Sequence, residues 1–186
     1  AEQKAKAQAL RHQAQVECSA GEYAKAVATY DEALEFLPND AALIKERADA
    51  DRKAKALALK KRGEGEIGDH DYKTAVNTLL EALKLDPENK EIATEEAEAS
   101  KRAKAWDLKV EADEMMEDGD YDDAAKTYAI AGSLWPDNKS IPKLQKKAED
   151  LARAQELKER GEHECDAGDF PKAVKSFEEA LNFDPE

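Results

Sequence analysis

The chain has 186 residues, of which 39% are charged, and its formal net charge at pH 7 is -14. This acidic balance argues against general nucleic-acid binding, which needs Lys and Arg to neutralise phosphates. The sequence lacks the run of about 18 apolar residues that a membrane-spanning helix needs, so we expect no membrane insertion. Abundant alanine and few bulky apolar residues favour a helical fold with a core of small side chains.

A strict internal repeat of 49 residues organises the whole sequence. Its clearest markers are four prolines at equal intervals: Pro38, Pro87, Pro136 and Pro185. A segment with the length and pattern of a helix precedes each proline. We therefore divide the chain into four repeats of one continuous solenoid, with the first repeat incomplete at its N-terminal side: residues 1–38, 39–87, 88–136 and 137–186.

Each repeat contains two predicted helices in a fixed order. The first carries a leucine followed by a basic residue, and four positions after the leucine comes a small residue: Ala14, Gly63, Ala112 or Gly161. The second begins at an aromatic residue, and offsets of 3 and 7 from it lie on one helical face. These repeat-defining packing residues are Tyr23, Ala26 and Tyr30; Tyr72, Ala75 and Leu79; Tyr121, Ala124 and Tyr128; and Phe170, Ala173 and Phe177.

The pattern resembles the tetratricopeptide repeat family. The match rests on the small residue of the first helix, on the Gly-acid-aromatic turns at 119–121 and 168–170, and on the terminal proline. It covers about 34 residues of each 49. The resemblance implies an all-α solenoid of antiparallel helical hairpins wound into a right-handed superhelix. His70 departs from the pattern by replacing the turn glycine, and Gly132 departs by replacing a leucine, which predicts a loosely packed second helix in the third repeat.

The 15 additional residues of each repeat lie between the proline and the next first helix. They are polar and rich in alanine, and they contain few helix breakers. The simpler interpretation is a first helix of about 28 residues, roughly 42 Å long, followed by a second helix of about 14 residues. The alternative is a separate short third helix. Pro142 lies near the predicted start of the fourth long helix, with Ser140 as a possible N-cap. An apolar stripe would run along the extensions at Leu43, Ala50, Ile92, Ala99, Ile141, Leu144, Ala148 and Leu151.

Two rows of residues define the candidate partner-binding inner face, because proteins resembling this family usually bind peptides there. The first row consists of Arg11, Lys60, Lys109 and Lys158. An acidic residue follows three of these cations at i+4, so the row is either a cation series for an acidic peptide or a self-neutralised ladder. The second row consists of Cys18, Ile67, Met116 and Cys165, and it is either an apolar strip for a partner helix or ordinary helix–helix core.

Both tryptophans also have two interpretations. Trp106 is either an anchor for a partner on the inner face or a half-buried packing residue. Trp135 precedes Pro136 and is either an anchor or a local cover over the end of a helix. The pattern does not match the Lys and Asn clamp by which some proteins resembling this family hold chaperone tails. Glu64 and Val110 stand where that clamp needs Asn, so we do not expect chaperone-tail binding.

No residue pattern indicates catalysis, a metal site or a cofactor. His12, His70 and His163 occupy three different repeat positions, and no pair shares a helix face with a nucleophile. Asp118, Asp120 and Asp122 imitate the opening of an EF-hand, but Asp123 and Ala129 replace its required Gly and Glu. The sequence therefore predicts a protein that is not an enzyme.

Two functional hypotheses follow. The first is an interaction scaffold that binds a protein or peptide. The second is a structural spacer or fibre-forming unit, with further copies of itself as partners, because both terminal repeats look uncapped. Cys18 and Cys165 are too few for a disulfide framework, which favours a reducing compartment such as the cytoplasm.

Overall fold

In a computed structural model, residues 2–185 form eight α-helices and no strand. Long and short helices alternate, with 28, 29 and 26 residues in α3, α5 and α7 and 14 in each of α2, α4 and α6. The predicted all-α architecture of a long first and a short second helix in each repeat is confirmed. The helices are α1 (Glu2–Ser19), α2 (Tyr23–Phe36), α3 (Ala41–Gly68), α4 (Tyr72–Leu85), α5 (Lys90–Asp118), α6 (Tyr121–Leu134), α7 (Ile141–Asp166) and α8 (Phe170–Leu181).

The 15 additional residues of each repeat lengthen the first helix. Helix α3 is unbroken from Ala41 through Gly68, and the same holds for its counterparts α5 and α7. Within the extension of α3, Leu43 and Ala50 are each only 2% exposed, so they form a buried stripe. The same two repeat positions are buried in the other extensions, at Ile92, Ala99, Ile141 and Ala148. The alternative of a separate third helix is therefore wrong.

A recurring Asp or Asn side chain caps the start of each long helix. Asp40 accepts hydrogen bonds from the backbone N–H groups of Ala42 and Leu43, at 2.9 and 3.1 Å. Asn89 and Asn138 occupy the same repeat position. Asn138 accepts from the N–H of Ser140 at 2.9 Å, so Asn138 supplies the capping oxygen that the sequence analysis assigned to Ser140.

Helix α7 begins two residues later than its counterparts because of Pro142. In α3, the N–H of the equivalent Ile44 donates to the carbonyl oxygen of Asp40 at 3.0 Å, and this bond closes the first turn. Proline has no N–H, so that bond cannot form. The helix consequently starts at Ile141.

All four hairpin turns have the same backbone geometry. After α1, the N–H of Glu22 donates to the carbonyl of Glu17 and the N–H of Gly21 donates to the carbonyl of Cys18, which is the Schellman arrangement of a helix C-terminus. The residue at the position of Gly21 has a positive φ in every copy: 79° at Gly21, 64° at His70, 84° at Gly119 and 77° at Gly168. His70 therefore adopts the left-handed conformation that the other copies assign to glycine.

Contacts divide the chain into two compact units, Ala1–Ser100 and Lys101–Glu186, so that α5 contributes residues to both. In the first unit, α1 packs on α2, α2 on α3 and α3 on α4. In the second unit, α6 packs on α7 and α7 on α8. This packing of each helix on its neighbours in sequence is the pattern of a helical-repeat solenoid.

Each hairpin core pairs a small residue of the long helix with a large residue of the short helix. A Cβ added to Gly63 would lie 2.8 Å from Cγ of Leu79, and one added to Gly161 would lie 2.8 Å from the ring of Phe177. Where the small residue is Ala14 or Ala112, the partner is a tyrosine. The core is therefore built on close helix approach, as expected from a composition rich in alanine.

Gly132 leaves the third repeat without a side chain that two other repeats use. Its counterparts Leu34 and Leu83 pack against the hydrophobic clusters of their hairpins. At Gly132, an added Cβ would meet only Cγ2 of Ile141, at 3.6 Å. The looser packing of this second helix stays a prediction.

Candidate partner-binding site

In the first unit, ion pairs engage the cations of the candidate face. Arg11 of α1 forms a bidentate pair with Glu46 of α3, with a distance of 2.9 Å from Nε to Oε2. Lys60 of α3 lies 2.9 Å from Glu64 and 2.8 Å from Glu95, and its side chain is only 14% exposed. Glu46 and Glu95 occupy the same repeat position. The two ion pairs therefore link one long helix to the next at equivalent positions.

In the second unit the acid at that position is missing. Leu144 replaces it and packs against the hydrophobic cluster of the third repeat. Lys109 instead forms an ion pair with Asp113, four residues along α5, and its Nζ lies 5.7 Å from the ring centre of Trp106. Lys158 is exposed and, among residues 2–185, does not form the ion pair with Glu162 that the i+4 spacing predicts. Three of the four cations are therefore neutralised, which favours the self-neutralised ladder over an acidic-peptide site.

The second row is partly buried within the hairpins. Cys18, Ile67 and Met116 pack against the hydrophobic clusters of repeats 1, 2 and 3, and Cys165 is half-buried. Burial raises the pKa of the Cys18 thiol. A thiol with a raised pKa is a poor nucleophile and a poor metal ligand. This environment supports the core interpretation of the row.

An apolar groove lies beside this face in the first unit, between the hairpin turn after α1 and the middle of α3. It has a volume of about 710 Å³. Leu57 lies in the groove and is 44% exposed. Tyr23, Ala54 and Ala58 line the groove beside Leu57, and Lys61 is one of the charged residues that also line it. Lys61 has no ion-pair partner within residues 2–185.

Trp106 occupies the repeat position of Leu57, and its indole is 41% exposed on α5. Val110, one turn further on, is also 41% exposed. These two side chains therefore form a continuous apolar patch on one side of α5. Trp135 differs, because it packs against the cluster of the third repeat and Arg102 lies 5.9 Å from its ring centre. This environment supports a local cover at the end of α6.

The matching groove of the second unit has a different chemistry. It lies between the hairpin turn after α5 and the middle of α7, with a volume of about 640 Å³. Gln155 and Glu159 replace Leu57 and Lys61, and Asp122 and Asp123 face them across the groove. Lys126 lies 2.8 Å from Asp122 and 2.9 Å from Asp123. The repeat thus keeps the shape of the groove and changes its lining.

Sequence reasoning missed a hydrogen bond that fixes the two helices of a hairpin. Thr29 of α2 donates to Glu17 of α1 at 2.7 Å, and both residues are buried. Ser176 of α8 donates to Glu164 of α7 at 2.6 Å at the same repeat positions. The signal was present in the sequence, because Thr or Ser recurs at intervals of 49 residues from Thr29.

Among residues 2–185, no group of three or more His, Cys, Asp or Glu side chains is arranged to hold a metal ion. The three histidines are exposed and lie on different helices or turns. Asp120 and Asp122 belong to the hairpin turn and the first turn of α6. Within the same residues, no helix has both the length and the apolar character that crossing a membrane requires.

No protein-family model matches the chain, and no curated protein matches it significantly. The resemblance to the tetratricopeptide repeat family therefore rests on the residues that carry it.

Proposed function

We propose that this protein is a tetratricopeptide-like scaffold that binds segments of other proteins through exposed apolar side chains on its long helices. The observation that carries the proposal is the exposure of Leu57, Trp106 and Val110, each 41% or more, beside a core whose large side chains are almost fully buried. Trp106 and Val110 lie one turn apart and are each 41% exposed, and an apolar surface patch that contains a tryptophan is typical of a binding surface.

The partner segment is expected to present aliphatic or aromatic anchors. Arg11, Lys60 and Lys109 already have carboxylate partners, so an acidic segment would have to displace these carboxylates. The net charge of -14 further disfavours acidic segments and nucleic acid. Lys61 is available to form an ion pair with one carboxylate of the partner segment, next to the apolar anchor in the groove beside Leu57.

The proposed role is non-catalytic and needs no cofactor. We propose a reducing compartment such as the cytoplasm, because two cysteines are too few for a disulfide framework. Specificity then comes from differences between repeats at one position, since Leu57 and Trp106 stand where other copies have glutamine.

Selection of displayed random peptides on the immobilised chain tests this proposal. Selected peptides should be rich in aromatic and aliphatic residues, and Trp106→Ala or Leu57→Ala should weaken their binding at least tenfold, because anchors of this kind dominate binding energy. Ile130→Ala is the matched control, since Ile130 is 53% exposed on a short helix. Equal binding to all three variants, with unchanged circular dichroism, would contradict the proposal.

The structural-spacer hypothesis has one observation in its favour. Long helices of nearly equal length recur with a fully buried alanine at the same place, at Ala50, Ala99 and Ala148. Light scattering over a hundredfold range of concentration distinguishes the two hypotheses. A mass that grows without a plateau favours the spacer or fibre, whereas a constant value near 20.6 kDa favours the scaffold.

A further inference from the structure

Helix α8 carries an exposed apolar stripe that lies outside the candidate partner-binding inner face. Phe170 is 64% exposed, Val174 is 55% and Leu181 is 58%. The spacing of 4 and 7 places all three on one side of the helix. The opposite side of α8 is packed, because Ala173 and Ser176 are buried against α7. No helix within residues 2–185 covers this outer face of α8.

The first unit shows what covers the same face of a short helix. Helix α3 lies across α2, and its Leu43 and Ala50 join Tyr30 and Ala33 in one buried cluster, with Val27 and Leu34 packed against that cluster. Val27 and Leu34 are the repeat counterparts of Val174 and Leu181. Because α3 packs over them, Val27 and Leu34 are half-buried and not exposed.

Polar contacts fix the register of the covering helix. Arg47 of α3 donates to Asp31 of α2 at 2.9 and 3.2 Å. Nζ of Lys53 lies 5.6 Å from the ring centre of Tyr23. Counted in residues from Leu43, α3 thus carries a base at +4 (Arg47), alanine at +7 (Ala50) and a second base at +10 (Lys53).

The second unit repeats the apolar part of this arrangement. Helix α7 lies against α6, and Ile141 and Ala148 share a buried cluster with Tyr128 and Ala125. Ala125 is the counterpart of Val174, and it is 8% exposed. Helices α3 and α7 therefore both place a large aliphatic residue, followed by alanine seven residues later, on this face.

We propose that the outer face of α8 binds an amphipathic helix with this chemistry: a large aliphatic residue, a base at +4 and an alanine at +7. Glu178 occupies the repeat position of Asp31, is exposed, and supplies the acid for the base at +4. A second copy of the chain is a poorer occupant. Its stripes at Leu43, Ala50, Ile141 and Ala148 are at most 2% exposed and would have to leave their own hairpins.

A peptide of residues 39–58 serves as the probe, because it contains the covering stripe of α3. Fluorescence anisotropy with the full chain should show saturable binding. Val174→Lys should weaken it at least tenfold, since a charge would replace a buried apolar contact. Val16→Lys is the matched control, because Val16 is 56% exposed on α1 and the change is identical.

Charge reversal tests the register in which the peptide helix binds to α8. Glu178→Arg should weaken binding about twofold to fivefold, as expected for one exposed ion pair, and the peptide with Arg47→Glu should restore it. Amide chemical-shift changes should be confined to α8 and the adjoining part of α7. Absence of binding, equal binding to Val174→Lys and Val16→Lys, or shifts centred on Leu57 would overturn the proposal. Concentration-dependent self-association that Val174→Lys abolishes would identify a second copy as the occupant and would also overturn it.

Discussion

At the scale of single residues, the turn position shared by Gly21, His70, Gly119 and Gly168 shows how one backbone conformation constrains sequence. All four have φ between 64° and 84°. An added Cβ at Gly21, Gly119 or Gly168 would meet no atom within 4 Å, so the requirement is conformational and not steric. The left-handed region costs a residue with a Cβ roughly 1–2 kcal/mol.

We predict that His70→Gly raises the free energy of unfolding by up to about 1 kcal/mol. Relief of the left-handed strain exceeds the entropy that glycine adds to the unfolded chain. The edge contact between the rings of His70 and Tyr72, with centroids 6.0 Å apart, offsets part of this gain. Urea unfolding measures the change, with Gly119→Ala as a control that should lose about 1 kcal/mol. A loss of stability in His70→Gly would contradict the prediction.

Gly63 shows a steric requirement of a different kind. Its missing Cβ leaves space for Leu79, which is fully buried and cannot move aside cheaply. We predict that Gly63→Ala destabilises the protein by about 1–3 kcal/mol through overpacking. Gly65→Ala, in the same helix with open space around it, should instead stabilise by about 0.5–1 kcal/mol. Thermal unfolding of both variants tests this pair, and a stabilised Gly63→Ala would refute the packing argument.

At the scale of elements, the start of α7 shows that a side chain two or three residues away can define a helix end. Asn138 accepts from the N–H groups of Ser140 and Ile141, while Ser140 makes no capping bond of its own to the helix. We therefore predict that Asn138→Ala costs about 0.5–2 kcal/mol, the usual cost of a lost N-cap. Ser140→Ala should cost far less. Equal losses in denaturant unfolding would mean that Ser140 also caps the helix.

The length of the long helices follows from local chemistry. Polar, alanine-rich extensions without internal glycine favour continuation of a helix. The buried positions recur seven residues apart, as in Leu43 and Ala50, so the extension keeps one face against the preceding short helix. Sequence reasoning predicted this extension correctly because propensity and periodicity agreed.

At the largest scale, ion pairs join successive long helices within the first unit, from Arg11 to Glu46 and from Lys60 to Glu95. Hydrogen bonds from Arg11 hold the pKa of the Glu46 carboxyl below its usual value, and Gln15 and Tyr30 also face this group. A hydrogen bond from Gln13, and then one from Thr29, likewise lowers the pKa of Glu17. Both carboxylates are thus more acidic in the folded state than in the unfolded state.

This shift gives stability a defined dependence on pH. The contribution of these carboxylates is complete above their unfolded pKa, near 4.3, and is lost as the pH falls through the lower folded pKa. We predict that the free energy of unfolding declines below about pH 4.3 and that Glu46→Gln flattens this decline. Urea titrations at a series of pH values test it. The control is Glu35→Gln, an exposed glutamate of α2, and identical acid slopes in both variants would contradict the prediction.

Part of the candidate site could be predicted from the sequence. Period and residue type placed Arg11, Lys60 and Lys109 on the long helices, and the i+4 spacing predicted the pairs of Lys60 with Glu64 and Lys109 with Asp113. The pairs with Glu46 and Glu95 were not predicted, because they join residues 35 positions apart. Periodicity along one helix gives no information on which neighbouring helix lies opposite.

Local sequence patterns were enough to predict the helices, their order and the small-residue core of each hairpin, because propensity, periodicity and glycine placement act within a few residues. Local patterns could not predict which of the equivalent side chains are covered, because that depends on how the helices pack. Val27 and Val174 share one repeat position, yet α3 packs over the first and no described helix packs over the second. Exposure depends on the neighbour that the fold provides, and that neighbour lies outside the local pattern.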